Sequence, residues 1–322
     1  MSQKNQLFAT PPGSPLHRGS RGSWLSFYWR RISGQLKKDV PSRPKNILLP
    51  KEEIQGGLKR MKGSPGLTWL GHASFLLHLA GKNVLIDPFL SDYATGRPPL
   101  GPKRYTPPAL TVDELPPIDV LLVSHCHYDH LDAPTIEALP GKENIQVVVP
   151  EGLGAFFRSR GYECVSELPW HEARHFDGLK VTVVPAVHGS ARTLWDRDQT
   201  HWCGFLLEAQ GRSVYHSGDT AYGATFKEMG KRYGPIDFGL LPIGAYEPRD
   251  LMADSHVNPE EAMQIALDLK VKTFVSMHWG TIVLTDEPQT EPVERFLKAG
   301  SRAGYDEKDL WVLKVGESRG LI

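Results

Sequence analysis

From about residue 67 onward, the chain alternates short apolar runs with short polar segments. Four of these runs stand out, at Val84–Ile86, Val120–Val123, Val147–Val149 and Val181–Val184. Aliphatic and β-branched runs of this length, bounded by turn residues, predict buried β-strands. This part of the chain is therefore predicted to contain sheets with a buried face.

Two segments between the runs carry the signals of a helix start. Asp132 and Pro134 predict a cap and first turn for a helix over 135–139, and the stretch Asn258–Glu261 predicts a second helix. In the second helix, apolar residues recur at the spacing of one buried face: Ala262, Ile265, Ala266 and Leu269. Strands and helices mixed over about 260 residues predict an α/β (α+β) layered domain with helices outside the sheets.

Residues 1–62 are predicted to form an amino-terminal extension, because Pro, Gly, Ser and basic residues prevail there without a strand or helix period. Within it, the segment 24–38 combines aromatic and aliphatic residues with cations, as helices that contact a membrane surface do. An arm that packs on the domain or on a partner subunit has a similar composition, and it stays open as an alternative. Residues 63–322 are predicted to form the folded domain.

Charge and cysteine content narrow the classes of function. Lys+Arg and Asp+Glu both number 37, so the net charge of zero offers no field for nucleic acid, and we expect no nucleic-acid partner. The three cysteines form no C-x-x-C pair, which argues against a disulfide framework or a cysteine zinc site. No apolar run or secretory signal predicts a membrane-spanning or exported chain. We expect a cytoplasmic protein, peripheral at the inner membrane face if the segment 24–38 binds lipid; a homodimer stays open.

The most informative segment directly follows the apolar run that ends at Val123. It reads Ser-His-Cys-His-Tyr-Asp-His-Leu-Asp, and its candidate metal ligands are His125, His127, Asp129 and His130. Imidazole nitrogens and a carboxylate oxygen are ligands that zinc accepts. A loop after a buried strand is also where α/β proteins build their sites. The segment therefore predicts a metal site.

Three further candidate ligands stand near the ends of other predicted strands. They are His188 after 181–187, Asp219 at the end of 213–219, and His278 at the end of 273–278. Each alone could equally be a capping aspartate or a hydrogen-bonded core histidine. Their shared position at strand ends favours convergence on the same metal site.

Together these residues resemble, in order and context, the signature of the metallo-β-lactamase superfamily. The resemblance implies an αββα sandwich of two facing mixed sheets, with two zinc ions per chain at one edge that activate water. It assigns His125, His127 and His188 to the first zinc, Asp129, His130 and His278 to the second, and Asp219 to a bridge between them. Iron or manganese would accept the same nitrogen and oxygen ligands.

Stretches without metal ligands indicate a closer likeness, to the N-acylphosphatidylethanolamine-hydrolysing phospholipase D branch. The likeness covers roughly residues 68–319 and rests on 101–104, 114–119, 230–235, 242–249, 256–262, 278–281 and 316–319. It implies a phosphodiesterase that acts on a lipid or a small phosphodiester. A metal-dependent lactonase or small phosphoester hydrolase is the alternative, because fold does not determine substrate. A non-catalytic sensor is a third class, disfavoured because all seven candidate ligands are present.

The resemblance also suggests roles for residues outside the ligand set. Asp129 is expected to orient the attacking water, and His256 to contact substrate oxygens or protonate the leaving group, unless it only packs at the helix entry. Tyr246 and Arg249 are candidate substrate contacts, although Arg249 could simply pair with Glu247. We expect Asp87 to support a ligand imidazole. Two other residues, His72 and Cys126, are expected to be structural and inert, respectively.

Overall fold

Two seven-stranded sheets pack face to face in a computed structural model that describes residues 7–15, 29, 46–193 and 195–321. The strands are β1 Gly66–Gly71, β2 Ser74–Leu79, β3 Lys82–Ile86, β4 Val120–Leu122, β5 Gln146–Pro150, β6 Val165–Leu168, β7 Ala173–Phe176, β8 Leu179–Val184, β9 Gly204–Ala209, β10 Arg212–His216, β11 Ile236–Pro242, β12 Val271–Met277, β13 Leu310–Trp311 and β14 Ser318–Gly320. The helices are α1 Lys51–Met61, α2 Ala133–Ala138, α3 Gly154–Arg158, α4 Thr225–Tyr233, α5 Arg249–Met252, α6 Pro259–Asp268 and α7 Glu291–Arg302.

The first sheet has the order β14-β1-β2-β3-β4-β5-β6, and the second has the order β13-β12-β11-β10-β9-β8-β7. Strands β3 to β6 are mutually parallel, and so are β10 to β13. The other neighbouring pairs are antiparallel. Within each sheet, the carboxyl ends of parallel strands meet at one edge, which is where α/β proteins place their sites.

The core lies between the sheets and continues under the helices. Leu85 and Leu121 of the first sheet share one buried cluster with Val183 and Phe205 of the second. A second cluster joins the outer face of the second sheet to α4, α6 and α7. The αββα sandwich with two mixed sheets and outer helices is thus confirmed.

All four predicted strand segments are strands in the structure, and both predicted helices are present. The predicted start at Asn258 is confirmed, because its side chain accepts from the Glu261 amide and Glu261 accepts in return from the Asn258 amide. Asp132 stands at the N-cap of α2 and Pro134 in its first turn, as predicted, but the Asp132 side chain does not cap the helix. Its carboxylate accepts instead from Ser91 and Thr135, and it makes no hydrogen bond to the backbone of α2.

The domain begins earlier than the predicted boundary at residue 63. Ile47 and Ile54 are buried in the main core, and Leu48 pairs with Val315. Helix α1 packs on β1 and β14 because an apolar face of this otherwise polar helix points inward. Part of the extension is therefore built into the fold.

The predicted interfacial segment 24–38 lies outside the described residues except for Trp29, which is exposed. Farther upstream, the segment 7–15 lies against the domain, where the Phe8 amide donates to the Asp198 carbonyl oxygen at 2.8 Å. Among the described residues, none of the helices has the length and apolar character that a bilayer crossing requires.

Candidate metal centre

Loops from both sheets meet at the carboxyl edge of the parallel strands. The loop with His125 follows β4, His188 lies four residues after β8, Asp219 lies three after β10, and His278 directly follows β12. Strand β8 is antiparallel to β9, which is antiparallel to β10, so β8 and β10 end at the same edge. The fold therefore brings the seven sequence-predicted ligands together.

Three histidines form the first group of candidate ligands. The distance from His125 Nε2 to His127 Nδ1 is 2.9 Å, and His188 Nε2 lies 3.1 Å from the same His127 atom. Tetrahedral ligands about 2.0–2.1 Å from a zinc ion lie about 3.4 Å apart. The three ring nitrogens therefore face a common point at roughly the spacing of ligands to one metal.

A second group contains Asp129, His130 and His278, and it is joined to the first by Asp219. Asp219 Oδ2 lies 3.2 Å from His130 Nε2, and Asp219 Oδ1 lies 3.2 Å from His278 Nε2. Asp219 Oδ2 also lies 3.9 Å from the Nε2 atoms of both His125 and His188. One carboxylate thus stands between the two groups, in the position of a bridging ligand.

The arrangement fits metal ions because its polar atoms are buried without other partners. Within the described chain, no hydrogen bond is made by His130 Nε2, Asp219 Oδ1, His256 Nδ1 or either ring nitrogen of His278. Buried polar atoms are normally paired, since an unpaired one costs about 1–3 kcal/mol. A cation among these atoms supplies the missing partner.

The carboxylates and imidazoles of the centre shift one another's pKa values. Burial alone would raise the pKa of the Asp219 carboxyl, but His130 and His278 hold it well below its usual range. Burial lowers the pKa of His188 to about 4, so this imidazole is neutral at neutral pH. The carboxylates raise the pKa of His130 well above its usual range and that of His278 to about 9. Metal binds the ionised carboxylate and the neutral imidazole, so a metal ion would displace the protons of these two rings.

Three non-glycine residues of the centre have left-handed backbone conformations. His72, Asp87 and His278 adopt φ angles of 56°, 43° and 61°, in the left-handed region that side-chain-bearing residues seldom occupy. Gly218, with φ of 60°, brings Asp219 into position where a Cβ atom would lie 2.6 Å from the Cys203 carbonyl oxygen. Only glycine fits at that turn.

Asp87 lies where support for a ligand imidazole was expected. Its Oδ2 atom accepts from His130 Nδ1 at 2.8 Å, and its two oxygens also accept from the amide and hydroxyl of Ser124. Such contacts fix the ring orientation of a metal-binding histidine. His188 is held similarly, because its Nδ1 lies 2.8 Å from the Ser255 carbonyl oxygen.

His72 is part of the centre, which sequence reasoning missed. Its Nε2 lies 2.9 Å from Asp129 Oδ2, and its ring centroid lies 3.9 Å from that of His278. His72 precedes the predicted ligand loop by over fifty residues, and no local spacing linked the two. The position of His72 after the first strand of the domain was the available signal.

His256 faces the centre from the loop before α6. Its Nδ1 lies 3.9 Å from Asp219 Oδ2, and its ring lies 5.1 Å from that of His188. Burial lowers the pKa of His256 to about 3, so it is a neutral imidazole at neutral pH. It can hydrogen-bond a substrate oxygen in that form.

Tyr246 and Arg249 are not placed as substrate contacts. The Tyr246 side chain is fully buried and its hydroxyl donates to Glu291. The Arg249 guanidinium forms two bonds to Glu261, at 2.9 and 2.8 Å, and one to the His256 carbonyl oxygen at 2.9 Å. The expected pairing of Arg249 with Glu247 involves only the Arg249 amide. Arg249 thus holds the loop of His256 and anchors it to Glu261 of α6.

The groups that act on the Cys126 thiol are Thr200, Ser190, Arg192 and Asp196, none of which is a candidate ligand. Cys126 is buried, and burial raises the pKa of its thiol, so the unreactive protonated form prevails. This placement agrees with the expectation that it is inert.

The fold and the buried histidine–aspartate centre define an αββα sandwich with a candidate metal centre at one edge of its sheets. The chain belongs to the metallo-β-lactamase superfamily, near its N-acylphosphatidylethanolamine-hydrolysing phospholipase D branch: residues 82–279 match the family model of the beta-lactamase superfamily domain. An N-acyl-phosphatidylethanolamine-hydrolyzing phospholipase D 1 of Caenorhabditis elegans is 37% identical over 254 residues, which are 75% of this chain and 71% of that protein.

Two further comparisons give a similar sequence and a similar fold. An uncharacterised protein of Mycobacterium tuberculosis is 40% identical over 238 residues, and the match covers 72% of this chain but only 63% of that relative's length. An isothiocyanate hydrolase from Delia radicum gut bacteria has a similar fold, with a TM-score of 0.63 and 24% identity over 79% of this chain and 98% of that one.

Proposed function

We propose that this protein is a dinuclear zinc phosphodiesterase of the phospholipase D type, acting on N-acylphosphatidylethanolamine-like lipids. The observation that carries the proposal is the position of Asp219 between two groups of buried ligands. Two metals held about 3.5–4 Å apart are the arrangement that clamps both oxygens of a displacement at phosphorus. The likeness to the C. elegans phospholipase D supports the choice of lipid.

Zinc supplies Lewis acidity in such a site, lowering the pKa of water toward about 7 and stabilising negative charge on a phosphoryl oxygen. The protein side chains supply orientation. Asp129 is held by His72, so that its remaining oxygen can direct a water toward the phosphorus atom. Asp87 fixes the ring of His130. These contacts hold the ligands before substrate arrives, which limits the reorganisation needed during reaction.

His256 is the proposed substrate contact. Its Nδ1 has no other partner in the described chain, and its side chain keeps a small exposed area beside the centre. The Arg249 bond to its carbonyl oxygen and the capped start of α6 fix this loop. A neutral imidazole in this position donates a hydrogen bond to a phosphoryl or leaving-group oxygen.

In the proposed reaction, water adds its oxygen to phosphorus and the bond from phosphorus to the ethanolamine oxygen breaks. The products are a phosphatidic acid and an N-acylethanolamine, which takes up a proton. Hydrolysis in ¹⁸O-labelled water places the label in the phosphatidic acid. Failure of the zinc-loaded protein to release the amide from detergent-dispersed lipid contradicts this substrate.

Assays of the same zinc-loaded protein distinguish the proposed phosphodiesterase from a lactonase. A panel of lactones and chromogenic phosphodiesters is assayed with the protein and with its Asp219→Asn variant. Turnover of phosphodiesters that is lost in the variant supports the proposal. Turnover of lactones alone assigns the protein to the alternative class.

A further inference from the structure

Three exposed large apolar side chains stand on segments that are linked by contacts to the loop of the metal centre. Six large apolar side chains are exposed among the described residues: Leu7, Trp29, Leu100, Trp195, Leu267 and Leu297. Leu7, Leu100 and Trp195, which we call the apolar rim, have exposed fractions of 63%, 69% and 84%. Isolated surface leucines are common, but a group of exposed residues beside a site commonly marks an interaction surface.

The two loops that carry Leu100 and Trp195 start at the centre itself. One leaves β3 at Asp87, which binds His130, and the other leaves β8 and contains His188. Both meet at Tyr128, which lies between two candidate ligands in the sequence. The Tyr128 hydroxyl donates to the Arg192 carbonyl oxygen at 2.9 Å, and a Cβ atom on Gly96 would lie 3.0 Å from that hydroxyl.

The turn that presents Trp195 is firmly anchored. The Arg192 guanidinium donates to the carbonyl oxygens of Cys126 and Leu131, at 2.6 and 2.7 Å. Asp196 Oδ1 accepts from the amides of Arg192 and Thr193, at 3.0 and 2.8 Å. The indole is thus held out into solvent by a turn tied to the metal loop.

The third member of the apolar rim is held next to the same loop. Leu7 precedes Phe8, whose amide donates to the Asp198 carbonyl oxygen at 2.8 Å. The Phe8 ring stacks on His201 with centroids 4.5 Å apart. Leu7 therefore projects beside the loop of Trp195.

The charges around Leu100 favour an anionic partner. Arg97 and Lys103 are exposed on either side of it, and the exposed acid in the same loop is Asp92. Arg197 is exposed next to Trp195 and lies 3.5 Å from Asp198. Each Lys or Arg near an anionic lipid surface strengthens attachment by about fivefold. Indole and leucine side chains flanked by cations are the composition of a surface that enters the interface of an anionic bilayer.

We propose that the apolar rim docks this protein on the surface of anionic phospholipid bilayers, with the metal centre facing the lipid headgroups. The inference rests on the proposed function, because docking on a bilayer would bring the metal centre to its lipid substrate. The docking itself requires no substrate, so it can be measured separately.

The test is sedimentation of the full-length protein with vesicles of phosphatidylcholine and phosphatidylglycerol that contain no N-acylated lipid. We expect the Trp195→Ala variant to partition about tenfold more weakly, and the Leu100→Ala variant about fivefold more weakly. The Arg97→Gln/Lys103→Gln variant should lose most of the dependence on salt concentration. The matched control is Leu297→Ala/Lys298→Gln, which removes an exposed leucine and cation from α7 and should bind as the wild type does.

Two results overturn the proposal: equal partition of the rim variants and the α7 control, or no preference of the wild type for anionic over neutral vesicles. Circular dichroism checks that each variant is folded. Hydrolysis of bis(4-nitrophenyl) phosphate, a water-soluble diester, should be unchanged in the rim variants. If the protein releases no N-acylethanolamine but the rim variants bind vesicles more weakly than the wild type, the substrate proposal fails and the docking proposal stands.

Discussion

His72 Nε2 lies 2.9 Å from Asp129 Oδ2, although the two residues are 57 positions apart in the chain. Both side chains are buried, and His72 also packs on the ring of His278. A residue outside the ligand set therefore fixes the orientation of a ligand carboxylate. Contacts of this kind commonly change metal affinity by about 10–100-fold when removed.

Replacement of His72 by Ala should weaken binding of the second metal by about 10–100-fold, because Asp129 loses the donor that orients it. His72→Gln should recover part of the loss, since an amide can still donate. Competition with a chromogenic chelator measures the affinity. The matched control is His78→Ala, because the His78 ring pairs with Asn83 at the end of β2 and β3 that lies opposite to Asp87. An unchanged affinity in His72→Ala contradicts this role.

Replacement of Asp87 by Ala should both destabilise the fold and reduce metal content. The change leaves His130 Nδ1 and the Ser124 amide and hydroxyl without their acceptor. We expect a loss of about 3 kcal/mol in the free energy of unfolding, measured by urea denaturation, and a lower zinc to protein ratio by elemental analysis. Retention of wild-type metal content would show that Asp87 does not hold His130.

Replacement of Arg249 by Ala should lower turnover by about tenfold, because the loop that carries His256 loses its anchor. The two hydrogen bonds from Arg249 to the Glu261 carboxylate are also lost, and the free energy of unfolding should fall by about 1 kcal/mol. Arg295→Ala is the control, because Arg295 of α7 pairs with Glu260, the neighbour of Glu261 in α6, and makes no bond to His256. Equal turnover in both variants, measured with a soluble diester, argues against a positioning role for Arg249.

His201 should make the fold sensitive to mild acid. Its ring lies between Phe8 and Trp170, and burial lowers its pKa from 6.5 to about 4. The unfolded chain takes up a proton near pH 6.5, whereas the folded chain resists it, so stability is lost as pH falls from 6.5 toward 4.

The His201→Phe variant lacks the imidazole that takes up this proton in the unfolded chain. The nearest charged group is the Glu151 carboxylate, 3.9 Å from His201 Nδ1, and it is retained in the variant. The difference in melting temperature between variant and wild type should grow in favour of the variant between pH 6.5 and 4.5. A difference independent of pH contradicts the assignment.

The ligand residues could be predicted because their chemistry is restricted and they follow apolar strands. His188 and Asp219 each had an ordinary alternative, but strand order brought them to one edge. The strand ends themselves were predicted too late, since β8 ends at Val184 and β10 at His216. Loop residues beyond a strand keep apolar character when they are buried, as Ala186 and Val187 are, and this extends the apparent strand.

Side-chain direction was the part that the sequence could not supply. Tyr246 stands in a stretch typical of the family, yet its hydroxyl points to Glu291 in α7, 45 positions away. His72 and Phe8 likewise take their roles from distant partners, Asp129 and His201. Such contacts depend on the packing of whole layers, which no local pattern encodes.

The central claim is that seven side chains bind a pair of metal ions around Asp219. It is tested most directly by a crystal structure of the zinc-loaded protein, with anomalous data collected at the zinc edge. We predict two peaks per chain, one contacted by His125, His127 and His188 and the other by Asp129, His130 and His278, with an Asp219 oxygen at both. No peak among these residues, or a single one that Asp219 does not touch, would contradict the account.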